Sequence, residues 1–255
     1  MFKGSILLVT ALGIIFYNNV VTAQSFGFGC LGLVGGYAGY SYQVYKPSGL
    51  NDYVGSFNLL KRDSLKGPMQ NFGKSSGYRV GINFFRANIR GLIVTAKGFY
   101  QDLSEESDAN FSSNYGASST DFNVDLRSWG IGFDVGTSLT NSLSWKVIDA
   151  VLLFNTAQFT NTTNLPGAQT IIETYKSDKQ VLGYTFGTGF ILSIIGSYVS
   201  LEGSAGYTYL KIDNIKKDDG TYLPANESPS ASAMNNFIDG GGFNAVIQLN
   251  IGFPL

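Results

Sequence analysis

The chain of 255 residues carries 17 basic and 18 acidic side chains and no histidine, for a net charge of −1. That balance offers nucleic acid no electrostatic footing, and a chain without histidine cannot build Ser-His-Asp or Cys-His catalysis or the usual zinc and non-haem iron sites. Charged residues reach only 14 %, against about a quarter in soluble domains.

Lys3, an apolar run over 6–17 and the small residues Val21 and Ala23 before Gln24 predict a secretory signal peptide over 1–23, with a single β-barrel domain over 24–255. The apolar run is too short to span a bilayer of about 30 Å. The single cysteine, Cys30, allows no internal disulfide and reads as a buried or barrel-wall thiol. No later segment approaches a membrane-spanning apolar helix, so a mature chain that enters lipid does so as a closed barrel.

The first strand is expected over 28–45, where Val34, Gly36, Ala38, Tyr40, Tyr42 and Val44 share a face. Apolar residues on the other face, Leu31, Leu33 and Tyr37, leave its orientation open. A polar excursion over 47–76 contains Leu50, Tyr53, Val54, Phe57 and Leu60 at helical spacing. That segment either caps the barrel mouth or rests at the outer leaflet, or it presents a binding surface.

Residues 77–85 alternate Tyr78, Val80, Ile82 and Phe84 outward with Arg79, Gly81 and Asn83 inward. The third strand, 91–101, sets Leu92, Val94, Ala96 and Tyr100 against Thr95 and Lys97. The Ser-, Asp- and Glu-rich stretch 102–121 reads as a loop. In the fourth strand, 122–136, the apolar phase changes near Arg127 and Ser128, which a β-bulge would explain. Beyond it Trp129, Ile131, Phe133 and Val135 face out and Asp134 faces in. The fifth strand, 145–156, carries Ile148, Ala150, Leu152 and Phe154 outward and Asp149 inward. A polar loop over 158–179 leads to the sixth strand, 180–192, with Leu182, Tyr184, Phe186, Phe190 and Leu192 outward. The seventh, 198–211, opposes Leu201, Tyr207 and Tyr209 to Ser200, Glu202 and Thr208. A final excursion over 212–241 precedes the last strand, 242–253, whose outward row runs Phe243, Ala245, Ile247, Leu249, Ile251, Phe253.

Long connections follow strands one, three, five and seven, and short corners follow two, four and six. That alternation predicts an all-β, antiparallel transmembrane barrel of eight strands, with ten as the other possibility, long loops outside and short periplasmic turns. The Val-Thr-Ala-Gln signal, the Gly-Tyr-x-Val-Gly strand at 77–81 and the closing Ala-Val-Ile-Gln-Leu-Asn-Ile-Gly-Phe resemble the small outer-membrane β-barrels of the OmpA/OmpX type. The resemblance is one of pattern over the whole mature chain. It implies residence in a Gram-negative outer membrane among its lipids, and recognition of the C-terminal strand by the barrel-insertion machinery. The family ends on an aromatic, whereas here Pro254 and Leu255 follow Phe253.

By parity Arg79, Lys97, Asp134, Asp149 and Glu202 point into the lumen. Eight strands enclose room only for side chains, so these charges form either a mutually paired plug or the lining of a narrow pore. No catalytic residue, cofactor or metal is expected. The expected role is non-enzymatic and structural or interactive, carried by the extracellular loops, with an envelope protein as a further expected partner. The rivals are a passive channel for small or hydrophobic solutes and a soluble periplasmic sandwich. Parity also makes Ile247→Lys costly and Asn244→Lys mild.

Overall fold

The computed structural model describes residues 35–252 apart from Arg90, Tyr115, Ser197 and Pro229. The expected signal peptide, Cys30 and Phe253 lie outside the described residues. The elements are β1 (Gly35–Val44), α1 (Ser48–Leu60), β2 (Lys74–Ile89), β3 (Leu92–Ser113), β4 (Gly116–Ser138), β5 (Leu143–Asn164), β6 (Ile171–Lys176), β7 (Val181–Ile195), β8 (Val199–Tyr209) and β9 (Gly242–Gly252). Antiparallel pairing runs β4-β3-β2-β1-β9-β8-β7-β5, and β4 pairs with β5 to close the ring. Eight strands therefore form the barrel. The ninth, β6, is an addition whose only strand partner among the described residues is the far end of β5.

Closure is tied by β1 against β9, nine residue pairs from Gly35 opposite Gly252 to Gln43 opposite Asn244. The open orientation of the first strand is settled here. Tyr37, Ser41 and Gln43 are buried inside, and Tyr40 is exposed outside. Tyr37 lies across Gly81 of β2, where a Cβ would come within 2.5 Å of its hydroxyl oxygen, so that glycine is required by the ring covering it.

The outward residues of the wall are large and apolar: Val80, Ile82, Ile131, Phe133, Phe186, Phe190, Ile247 and Leu249 are all exposed. Aromatic side chains gather along the end that carries the long excursions. Tyr100 packs on Trp129 at 5.1 Å and on Tyr78 at 6.4 Å, and Tyr184 stacks on Tyr209 at 5.1 Å. An apolar belt edged by aromatic rings is the lipid-facing surface of a transmembrane barrel. Among the described residues no helix is long and apolar enough to cross a membrane; the strands do so.

Three sequence expectations are corrected, the first being the polar loop over 158–179, where β5 continues to Asn164 and β6 occupies Ile171–Lys176. Residues 102–121 are not a loop, because β3 and β4 continue as an unbroken ladder from Leu103 opposite Leu126 to Ser113 opposite Gly116. The Ser, Asp and Glu residues that suggested a loop are the water-facing half of an amphipathic hairpin. Its other half, Leu103, Ala109, Phe111, Phe122, Val124 and Leu126, is buried. Nor is there a bulge at Arg127 and Ser128: the register of β4 is continuous there against both neighbours. The apolar phase changes because the environment does. Tyr100, Trp129 and Phe154 form one outward row, and the next outward row is Asp102, Arg127 and Thr156. That single step marks the edge of the lipid-facing belt. The irregularity in this part of the sheet lies in β5, where the pairing with β4 skips from Lys146 to Ile148.

If this belt faces lipid, Ile247→Lys should lower stability by about 2 to 4 kcal/mol, the usual cost of a lysine near the bilayer midplane. A urea refolding titration in lipid vesicles measures it.

Candidate functional site: the filled lumen and the sheet beyond the belt

Inside the belt, the predicted lumen charges are all buried, and a sixth joins them. Lys146 sits at the centre. Its Nζ lies 2.5 Å from Glu202 Oε1, 2.8 Å from Asp149 Oδ2 and 3.5 Å from Asp134 Oδ2. Lys97 donates to Asp149 Oδ1 at 2.5 Å and lies 3.7 Å from Asp134. Arg79 stands apart from this cluster: its Nε and one terminal nitrogen donate to Gln101 Oε1 at 3.0 and 2.6 Å, and its guanidinium lies 4.0 Å from the centre of the Phe99 ring.

Lys146 was missed for a definite reason. In a regular strand it would share the outward face of Ile148 and Ala150. The bulge between Lys146 and Asp149 reverses the face of Lys146, so that both point inward, three residues apart. With it, three buried cations face three buried carboxylates, where parity alone left an excess of acid.

Above this network the lumen becomes apolar. Leu103, Leu126, Ala157, Phe122, Val124 and Phe159 line the wall, and α1 presses Leu50, Tyr53, Val54 and Phe57 onto them. Tyr53 and Phe57 meet the Phe122 ring at 5.7 and 5.5 Å. Leu60, though in register with these residues, is 63 % exposed and takes no part in the core. The helix thus caps the barrel mouth. Asn51 and Asn58 hold its returning segment by paired bonds to the backbone of Phe72 and Met69, all between 2.8 and 3.0 Å. Gly49 lets the excursion between β8 and β9 lie on the helix: a Cβ there would stand 2.7 Å from the Asn236 carbonyl. That excursion contributes Ile212, Ile215, Leu223, Met234, Phe237 and Ile238 to the core. Its apolar residues follow neither strand nor helix spacing, so sequence periodicity carried no sign of them.

Outside the belt β3, β4, β5 and β6 form a four-stranded sheet. Its inner face covers the apolar core. The β3 edge is closed by the first excursion, where Lys66 N–H donates to Asn110, Ser112 N–H to Ser64, and the Gly73 and Lys74 amides to the Glu105 carboxylate. The β6 edge is different. Lys176 exchanges two backbone bonds with Lys216, which fixes Ile172 and Thr174 as the other residues whose backbone groups point away from β5. Among the described residues nothing pairs with them, and Ile172 is 64 % exposed beside an exposed Ile171. The strand is held from below by Lys217, whose Nζ lies 2.6 Å from Glu173 and over the Tyr175 ring. The Glu173 bond holds the Lys217 ammonium above the usual lysine range, and burial pushes the Tyr175 phenol up.

The geometry resolves into an eight-stranded closed barrel with a filled lumen. No known protein family and no curated sequence matches the chain. Among solved structures it is similar to the attachment invasion locus protein Ail of Yersinia pestis in complex with the heparin analogue sucrose octasulfate, at 9 % identity and a TM-score of 0.38 over 86 % of this chain and 97 % of that one. It is also similar to the outer membrane protease OmpT of Escherichia coli, at 8 % identity and a TM-score of 0.43 over 87 % and 94 %.

Chemically, the lumen holds paired ions that mutual contact already satisfies. Asp108 and Asp121 do face each other across the hairpin, and partial burial, then Asp108, raises the Asp121 carboxyl. Among the described residues no three metal-ligating side chains converge. Asn244 is buried among the lining residues shared with Arg79 and Asp149. A lysine there would add a fourth buried cation beside Arg79, so Asn244→Lys is now expected to be costly as well.

Removing one member of the network strands its partners. Lys146→Met should cost about 3 to 5 kcal/mol, as for other broken buried pairs. Adding Glu202→Gln restores the charge balance, and the double variant should be more stable than Lys146→Met alone. Denaturant titration of the three proteins measures the difference.

Proposed function

We propose that this is a non-enzymatic outer-membrane barrel that works by surface contact, with a lumen that does not conduct. The observation that carries this reading is the pairing of a sealed interior with a rigid sheet held clear of the belt. Two successive layers obstruct the axis, the lysine–carboxylate network and then the apolar core beneath α1. A solute path would have to break buried ion pairs and then cross tightly packed side chains, which costs far more than the passage of a hydrated ion can return.

The recognising element in this reading is the free β6 edge. An unpaired edge with exposed apolar side chains is the template onto which an extended segment of another protein adds as a further strand. Backbone hydrogen bonds from Ile172 and Thr174 would supply affinity, and the exposed Ile171 and Ile172 side chains would supply selectivity. In this reading the long excursions lie on the outer side of the membrane, as in outer-membrane barrels generally, and this edge meets a partner protein there.

Refolded protein in a planar bilayer should be electrically silent; discrete, reproducible steps would return the passive channel. Cells displaying the protein should bind immobilised surface proteins of neighbouring cells. Thr174→Pro, which removes a donor from the free side only, should abolish that binding while the barrel still folds. Undiminished binding by Thr174→Pro would remove the edge from the mechanism.

A further inference from the structure

Beside Arg79 and Asp149 is a small void of about 10 Å³, whose polar lining also includes Thr185, Ser204 and Asn244 and whose remaining wall is Val151, Ala205 and two glycines. Asn244 is 7 % exposed, and its Oδ1 is fully buried with no hydrogen-bond partner. We infer that this void binds one ordered water molecule, which joins Arg79, Asn244 and Asp149.

The chemistry of the lining selects that ligand. Arg79 can only donate, and Asn244 Oδ1 can only accept. An occupant that satisfies both must accept from one side and donate to the other. An anion cannot donate to Oδ1, and a metal or ammonium ion would be repelled by the buried guanidinium. An apolar filling would leave Oδ1 unpaired, which buried polar atoms rarely are. The size agrees: a void of this kind holds a water once it offers about 10 to 15 Å³ and two to four polar partners. The water oxygen accepts from Arg79, one hydrogen goes to Asn244 Oδ1, and the other goes to the Asp149 carboxylate. Both Asp149 oxygens already accept from lysines, but an ionised carboxylate has further lone pairs to offer.

The bound water makes one network of two. Without it the Arg79–Gln101 pair and the Lys97–Asp149–Lys146–Glu202 cluster are neighbours with no bond between them. With it, the ring of wall contacts extends from β2 through β9 to β5. The site holds a single water enclosed by side chains, not a file of waters leading through the barrel. This inference concerns the interior alone and stands whether or not β6 has a partner.

A crystal structure of the refolded barrel, at a resolution that orders internal waters, tests it directly. The expected result is one peak within hydrogen-bond distance of Asn244 Oδ1, Arg79 and Asp149. An empty site, or an Asn244 amide rotated onto Arg79 or Asp149, would overturn the inference. In solution, oxygen-17 relaxation dispersion counts long-lived internal waters, and Asn244→Leu should lower the count by one. An unchanged count in folded Asn244→Leu would also overturn it. Should that variant fail to refold, the wild-type map alone decides.

Discussion

The structure depends on a single closure, the antiparallel ladder between β1 and β9. In hydrocarbon every backbone donor and acceptor must find a partner within the protein, and an open sheet leaves two edges that cannot. Joining Gly35–Val44 to Gly242–Gly252 removes both. Closure at eight strands then dictates the interior, because a ring of that size encloses a column only as wide as the side chains that point into it. The lumen has to be filled from the wall itself. Every inward residue is therefore constrained by its opposite numbers, and this is why charge balance and glycine placement matter here more than in an open sheet.

The filling changes character along the axis. Within the belt it is ionic, with three cations against three carboxylates, and a neighbouring aromatic pair, Tyr37 and Phe99. Beyond the belt it is a hydrocarbon core of the kind found in soluble domains, with α1 as its lid. The two solutions suit their surroundings. In the membrane, apolar inward faces would make the strands apolar on both sides and leave nothing to fix which face meets lipid. Outside, water surrounds the sheet, and burying Phe122, Phe159 and Phe237 against the helix is what holds the hairpins upright.

Much of this was legible in the sequence because β-strands print their environment on alternate residues. The seven belt strands from β2 to β9 and the inward placement of Arg79, Lys97, Asp134, Asp149 and Glu202 all follow from period two. What escaped was whatever broke that rule. Lys146 turns inward only because the skipped residue in β5 reverses its face, and no side-chain pattern announces a bulge that leaves apolar residues on both sides of it. The core residues of the excursion between β8 and β9, such as Leu223 and Phe237, sit in irregular backbone held by isolated bridges. Their burial depends on the helix they meet, which lies far away in sequence. The hairpin of β3 and β4 was misjudged for another reason. Its composition is that of a loop, and only the spacing of its apolar residues at every second position marks it as strand.

The change of apolar phase near Arg127 and Ser128 is the most useful physical signal in the chain. Along β4 the apolar residues move from even positions, Phe122, Val124 and Leu126, to odd ones, Trp129, Ile131 and Phe133, while the strand itself stays in register. The same switch occurs on β3 between Tyr100 and Leu103, and on β5 between Phe154 and Ala157, and the three switches fall on adjacent rows. A bulge in one strand would have no reason to align with its neighbours. A boundary between solvents must align, because it is a plane that all three strands cross. At that plane Asp102 accepts from the Tyr100 hydroxyl at 3.2 Å and pairs with Arg127 at 3.4 Å, so the first outward charges above the aromatic row are anchored to it. An inversion of apolar parity without a break in register therefore locates where a strand leaves lipid, and here it separates the membrane wall from the sheet that it lifts above the surface.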